Sequence, residues 1–404
     1  MAFETGVGKQ LRYKAESSWG VAPGASGAQL LRRVTSGLAL RKQTYESQEI
    51  RSDRQMLDFR HGVRSVDGPF AGELSPGTYK DFFAAVLRRA FTAVADITAL
   101  TLTIAGAGPT FTVTRSAGSW ITDGLKNGNM VRITAGAFNA ANLNKNLFIL
   151  SLTATVLTVM PLNGVALVAE GPIASATVNL PGKKTFAPIS AHTDVSFAIE
   201  HWHSTINDSE LFLGCKMQNL DIGLPPTGIA TVGMQFMGKD MTDDTAQYFT
   251  SPTAETTTGL LAAVNGLLAV QGAAITSFTG FNASIKPSEL SADPVVGSNT
   301  FPAISPQDIL VDGQFTAMFE SGALRGYFDD ETEVALICAF AASNAAAADF
   351  MTFSFPRVKV GSADPDDGKK HIVRTFSFKA LYNSAGGAAA ATEQSTMAVQ
   401  DSQA

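Results

Sequence analysis

Charge is the first thing this sequence is short of. Only 16% of its 404 residues are Asp, Glu, Lys or Arg, where about 25% is usual. The net charge is −6 and no basic stripe runs along any segment, which argues against a protein that grips duplex phosphates. Cysteine is scarcer still. Cys215 and Cys338 are the only two, and neither sits in a Cys-x-x-Cys pair, so neither a disulfide framework nor a thiolate zinc site is expected. Long apolar runs are missing too. The richest stretch, residues 260–270, falls short of the roughly 18 residues that a membrane span needs. The opening Met-Ala-Phe-Glu-Thr-Gly has neither a basic n-region nor an apolar h-region, so no signal peptide is expected and the chain should fold in a reducing cytoplasm.

What remains is a chain rich in Gly, Ala and Thr, with 26 Phe against 6 Tyr and 3 Trp. That texture belongs to all-β proteins, often ones that bury much of their surface against neighbours. The length suggests two or three domains. Residues 11–14 and 30–44 read as strands, the second interrupted at Ser36-Gly37. After a long polar arm, 46–60, a strand runs over 63–74, and Ser75-Pro76 then offers an N-cap and a first helical position. Tyr79, Phe82, Phe83, Val86 and Leu87 make one apolar helix face. From about 95 to 180 the charges thin out and short strands alternate with turns such as Asp123-Gly124, Asn127-Gly128 and Asn163-Gly164, which predicts a small sandwich or barrel. Strands resume over 194–202, 209–220 and 229–237, and 241–258 reads as a Thr-rich linker.

A repeat is visible across this pattern. Val66-Asp-Gly-Pro-Phe-Ala-Gly-Glu-Leu74 resembles Val311-Asp-Gly-Gln-Phe-Thr-Ala-Met-Phe319, 245 positions on (311 − 66). Ser36-Gly-Leu38 resembles Thr279-Gly-Phe281 at an offset of 243 (279 − 36). Gly214–Met217 and Val232–Phe236 match Phe355–Val358 and Arg374–Phe378, the first at an offset of 141 (355 − 214). The drop in offset places an extra domain inside the first copy only. The expected layout is therefore a first module from 1–98 and 182–240, an inserted small β domain at 99–181, a linker at 241–258 and a second module at 259–404.

Catalytic and metal signals are weak. His201-Trp-His203 puts two imidazoles on one strand face, a geometry that binds zinc, yet no carboxylate or thiol at ligand spacing completes it in the sequence. Ordinary strand or surface histidines are the favoured reading. Asp364-Pro-Asp-Asp-Gly368 lacks the ligand pattern of an EF-hand and reads as a hairpin turn. Nucleophile-elbow, phosphate-loop and zinc-protease motifs are missing, so no cofactor and no enzymatic activity are expected. The arm is more informative. Glu49, Arg51, Asp53, Arg54 and Arg60, with Phe59 among them, form a mixed-charge segment with apolar anchors. A loop of this length within a compact domain is uncommon and often functional, and this composition suits a salt-sensitive contact between protein copies.

Taken in order, several segments resemble the major tail tube proteins of tailed bacteriophages. They are the opening strand Leu30-Leu-Arg-Arg-Val-Thr-Ser-Gly-Leu38, the arm Glu49-Ile-Arg-Ser-Asp-Arg54, Arg60-His-Gly62 leading into Val66-Asp-Gly68, Glu73-Leu-Ser-Pro-Gly-Thr-Tyr79 and Gly214-Cys-Lys-Met-Gln-Asn-Leu220. The likeness covers about 30–95 and 185–385. It implies a mainly β fold of two tandem β-sandwich or half-barrel modules, each with a short flanking helix, plus the inserted β domain on the outside. It implies a structural virion protein that polymerises into stacked rings around a lumen for genome DNA, with the arm residues above as inter-ring or inter-subunit contacts. The implied partners are other copies of the chain, the tape measure, tail terminator and distal tail proteins, and DNA passing through without sequence preference, but no membrane. The implied place is the virion tail, assembled in the host cytoplasm. Two modules per chain favour a trimeric ring with pseudo-sixfold symmetry, with a hexamer of full chains as the rival. A carbohydrate-binding or adhesin-like protein remains the alternative, and would read its ligand through the inserted domain, where Trp120 is the one Trp.

Overall fold

The computed structural model describes residues 3–366 and 371–404, and it is mainly β. The α-helices among the described residues are α1 (Lys80–Val86) and α2 (Ala323–Asp329), of seven residues each. Eight strands form the central antiparallel sheet. Its order is Ala39–Glu46, Phe59–Glu73, Thr231–Gly238, Asp208–Leu224, Phe278–Pro287, Ile309–Met318, Val373–Ala380 and Asp364–Asp366. The strand period of two sorts its residues. Val66, Phe70, Leu220, Ile222, Met234, Phe236, Phe281, Ile285, Val311, Phe315, Phe376 and Phe378 point into one continuous core. The residues between them stay on the opposite, polar face.

Two long strands link this sheet to outer ones. Asp208–Leu224 pairs over 216–223 with Thr231–Gly238 in the central sheet. Over 208–215 it pairs with Phe197–His203, and over 209–213 with Asp240–Asp244, in an outer sheet. It turns at Gly214, which has φ +69°. A Cβ there would come within 2.9 Å of the Lys239 side chain and 3.0 Å of the Trp19 indole, so only glycine fits both the backbone and the space. Phe350–Val360 does the same in the second half, pairing first with Val334–Ala341 and Ala398–Asp401, then with Val373–Ala380. Helix α1 sits between the layers and buries Phe82, Phe83 and Val86 against Tyr13, Phe197, Phe236 and Phe353.

Both halves share register as well as order. Val66 pairs with Leu40, and Val311 with Ile285; Phe70 pairs with Ser36, and Phe315 with Phe281. Each residue lies 245 positions from its counterpart. The upstream alignment is thus Ser36 with Phe281, two residues from the one the sequence suggested. Likewise Ile199 opposes Phe212 where Leu336 opposes Phe355, and each strand pair is irregular just beyond, at Phe197 and Val334. The offset along the long strand is 143 (355 − 212), not 141. Short strand motifs carry too little information to fix a slip of two, which keeps every side chain on its face. Close packing recurs as well: a Cβ on Gly68 would meet the Gly37 carbonyl oxygen at 2.2 Å, and one on Gly313 would meet that of Asn282 at 2.3 Å.

Between the chain segments that bridge at Thr92 and Lys184 lies a closed six-stranded barrel, built from Ile97–Ala105, Phe111–Arg115, Met130–Ala135, Leu147–Leu152, Val156–Pro161 and Glu170–Asn179. It has its own core around Leu102, Val113, Trp120, Ile133, Ile149 and Val159. Its Met130, Phe148 and Leu150 pack against Ile337, Ala339 and Phe350 on the outer sheet.

Other local expectations change. Helix α1 starts at Lys80, not Pro76, because Gly77 is left-handed (φ +77°) and Ser75 to Thr78 form a turn closed by their hydroxyls at 2.6 Å. Residues 241–258 carry two strands, Asp240–Asp244 and Ser251–Thr253. The fully buried Glu200 carboxylate accepts hydrogen bonds from the Tyr248 and Phe249 N–H groups and the Ser209 hydroxyl, beside Arg12 at 3.5 Å. That clamp holds the Thr-rich segment against the sheet. Asp364–Asp366 is an edge strand; the rest of the turn expected at 364–368 lies outside the described residues.

Candidate assembly surfaces

Among the described residues, three surfaces lack an internal partner. The first comprises the two outer edges of the central sheet. Ala39–Glu46 pairs on one side only, with Phe59–Glu73, and Asp364–Asp366 on one side only, with Val373–Ala380. A long exposed strand edge is a template for another strand. Inside the chain the corresponding edges already meet: residues 220–224 pair with 281–285, Asp221 opposite Ser284 and Ile222 opposite Ala283. By the offsets above, Asp364 occupies the register position of Asp221, and Ala39 that of Ser284.

The second surface is the polar face of the central sheet. Asp67, Asp221 and Asp312 alternate there with Gln235, Asn282, Ser284, Gln314 and Ser377, and Arg41, Lys286 and Lys379 supply the positive charge. Gln235 donates to Asp67 at 2.9 Å, Asn219 to Asp221 at 2.9 Å, and Lys286 pairs with Asp312 at 3.2 Å. Glu73, Asp364 and Asp366 share this face, so charges of both signs are interspersed there with acidic groups in excess.

The third is the arm. Residues 47–58 leave the sheet, held together only by local contacts such as the Ser47 N–H to the Asp58 carbonyl oxygen. Arg51 and Asp53 pair at 2.5 Å, which holds the Asp53 carboxyl below its usual range, and Arg60 pairs with Asp58 at 3.0 Å. Glu49 and Arg54 join no ion pair among the described residues. Phe59 and Arg60 begin the returning strand, and Phe59 meets His61 edge-on. Ile50, Met56, Leu57 and Phe59 are all exposed, Ile50 completely. Among the described residues, the arm's contacts are local to itself and its own strand, and its apolar side chains stay exposed.

Chemistry elsewhere is sparse. Cys215 and Cys338 are buried, and burial pushes both thiols up, away from the reactive thiolate. His192 is exposed. His201 is buried between Ser36 Oγ at 2.7 Å and Glu210 Oε2 at 3.2 Å, which is the order of a hydrolytic triad. The sequence hid this because Ser36 comes from a distant strand. Neither Ser36 nor His201 lines any of five main cavities among the described residues, and burial lowers the His201 pKa to about 4, far from that of an efficient base at neutral pH. The trio acts as structural hydrogen bonding. Trp120, the aromatic of a carbohydrate-reading insert, is fully buried with its indole N–H on the Thr155 carbonyl oxygen at 3.0 Å, so it offers no surface platform.

A mainly β chain with unpaired sheet edges and a projecting arm has the features of a structural protein. The family model of the phage tail tube protein matches residues 6–380, and the chain belongs to that family. It is a structural component of the virion tail, and membership implies self-assembly and association with other tail proteins. No match is found among curated proteins.

Proposed function

We propose that three copies of this chain close into a ring of six similar modules, that rings stack into the tail tube, and that genome DNA leaves through its lumen. The observation that carries this is the internal seam. Residues 220–224 of one strand quartet pair with 281–285 of the next, and the same two edges are unpaired at the ends of the sheet. Repeating the seam between copies joins edge to edge until the sheet closes, which removes every open edge. On this reading the chain is a duplicated module whose first copy carries the barrel as an external insert. The polar face of the central sheet then lines the lumen. Its interspersed charges, with acidic groups in excess, give DNA phosphates no basic track to bind.

The arm residues Glu49, Arg51, Asp53, Arg54, Phe59 and Arg60 would contact a neighbouring ring, in a salt-sensitive way suited to setting register. Further partners would be tape measure, terminator and distal tail proteins, with assembly in the host cytoplasm. The test is electron microscopy of the purified protein at rising concentration, with native mass measurement of the smallest ring. Three chains per ring are expected. Six chains would keep the tube and remove the pseudo-hexamer, and a chain that stays monomeric at high concentration would overturn the ring itself.

A further inference from the structure

One corner of the first half departs from its counterpart in a way that ring closure does not explain. The hairpin of Phe197–His203 and Asp208–Leu224 sets His201 opposite Glu210 and His203 opposite Asp208. Cross-strand partners and residues two apart share a face, so all four side chains point the same way. In the second half the same register positions are Cys338 opposite Phe353 and Phe340 opposite Met351, all four buried in the apolar core. Ser36, which bonds His201, likewise stands where the second half has Phe281. The scaffold therefore packs well with hydrophobic residues at these positions, and the first half has replaced five of them by groups that can ligate or hydrogen-bond.

We propose that His203, Asp208 and Glu210 bind a divalent transition-metal ion at the end of this hairpin. Their ligand atoms lie within 4.8 Å of one another, and rotamer adjustment brings such atoms to the separations of about 3 Å that bonds of roughly 2.0–2.2 Å require. His203 Nε2 lies 3.7 Å from Glu210 Oε2, too far for a hydrogen bond, and its Nδ1 is buried with no partner, so no other part of the described fold uses this imidazole. Glu210 is already oriented by His201, as a ligating carboxylate commonly is by an outer partner. Lys9 is the cation across from His203; its Nζ donates to the Ser36 carbonyl oxygen at 3.2 Å, and although it is near enough to Glu210 to favour that carboxylate, it forms no ion pair with it among the described residues. Glu4 and Asp243, also nearby, add negative charge. An imidazole with two carboxylates and room for water suits zinc or manganese better than magnesium or calcium.

The experiment is calorimetric titration of the untagged, EDTA-treated full chain with ZnCl2, repeated in excess Mg2+, for wild type, His203→Ala, Asp208→Asn and Glu210→Gln. Expected is one zinc per chain in wild type, undisturbed by Mg2+, with affinity lowered by about tenfold or more in each variant. Each variant's thermal unfolding without metal identifies any that has merely failed to fold. Cobalt substitution supplies a second readout, a visible d–d spectrum without the intense thiolate charge-transfer band that Cys215 or Cys338 would give. Absence of saturable zinc binding in wild type, equal affinity in all folded variants, or a thiolate band would overturn the site.

Discussion

Among the described carboxylates, Asp401 is the one whose pKa is shifted far from its usual value. It is completely buried in the C-terminal strand, accepting from the Gly77 and Gln403 N–H groups at 2.8 Å each. Burial is the largest influence on it and raises its pKa from 3.8 to about 6; Asp349 pushes the same way, while the two N–H bonds and Lys80 oppose. The folded state therefore holds a proton between pH 4 and 6 that the unfolded state has released. Stability from this group is fully present below about pH 4 and is lost as pH rises through 6. At about 1.4 kcal/mol per unit, the change is on the order of 3 kcal/mol. His201 runs the other way, since its pKa is lowered, so the wild-type profile alone hides the effect. Asp401→Asn isolates it: the stability of the variant relative to wild type should rise by a few kcal/mol between pH 4 and pH 7 in urea titrations. A difference that stays constant with pH would sink this reading. Glu200 teaches the same lesson about residues. Nothing in its neighbourhood in sequence marks it, because the N–H groups it clamps lie 48 and 49 positions away.

Among elements, the match of Val66 with Val311 picked out two strands whose partners sit in equivalent register, and alternation and turn chemistry made the strands legible. Helix bounds were not: the apolar face of Tyr79, Phe82, Phe83 and Val86 was readable, but Gly77 in the left-handed region delays the start. Strand register was not either, since it comes from partners far along the chain. Register is nevertheless what makes the seam between copies testable. If the internal pairing of Asp221 with Ser284 repeats between chains, Ala39 of one copy faces Asp364 of the next. Two cysteines in such a cross-strand pair fall within disulfide range, and the native thiols are buried and silent. The double variant Ala39→Cys/Asp364→Cys should therefore link chains on mild oxidation and give covalent closed trimers on denaturing gels, while each single variant gives none. Pairing Ala39→Cys with a cysteine at Ser362 shifts the register by two and should link far less. Equal yields from both pairs would refute the seam.

At the scale of the whole molecule, the barrel is bound more tightly than a pendant domain. Its texture announced it, since charges thin out and turns recur every few residues, but its docking could not be read, because Ile337 and Ala339 come from a strand more than 180 positions further on. Val334–Ala341 is buried on both faces: Leu336, Cys338 and Phe340 enter the main core, while Ile337, Ala339 and Ala341 meet the barrel. Polar bonds fasten the same contact. Gln400 bonds the Met130 N–H and carbonyl, and Lys126 Nζ donates to the Gly387 and Ala390 carbonyls. Removing the barrel uncovers Ile337 and Phe350, each worth about 1.5–3 kcal/mol of burial, beside a free strand face that invites association. Excision itself is easy, since Thr92 and Lys184 are bonded neighbours. A chain with 97–179 replaced by a short Gly/Ser linker should thus aggregate instead of forming rings. The same deletion with Ile337→Thr and Phe350→Ser should return toward soluble rings, because the central sheet and its edges lie outside the barrel. Size-exclusion chromatography with negative-stain imaging separates the cases. If the plain deletion gives soluble rings as readily as the intact chain, the barrel is a passive ornament; if the polar version gives soluble chains without rings, the barrel belongs to the ring contact itself.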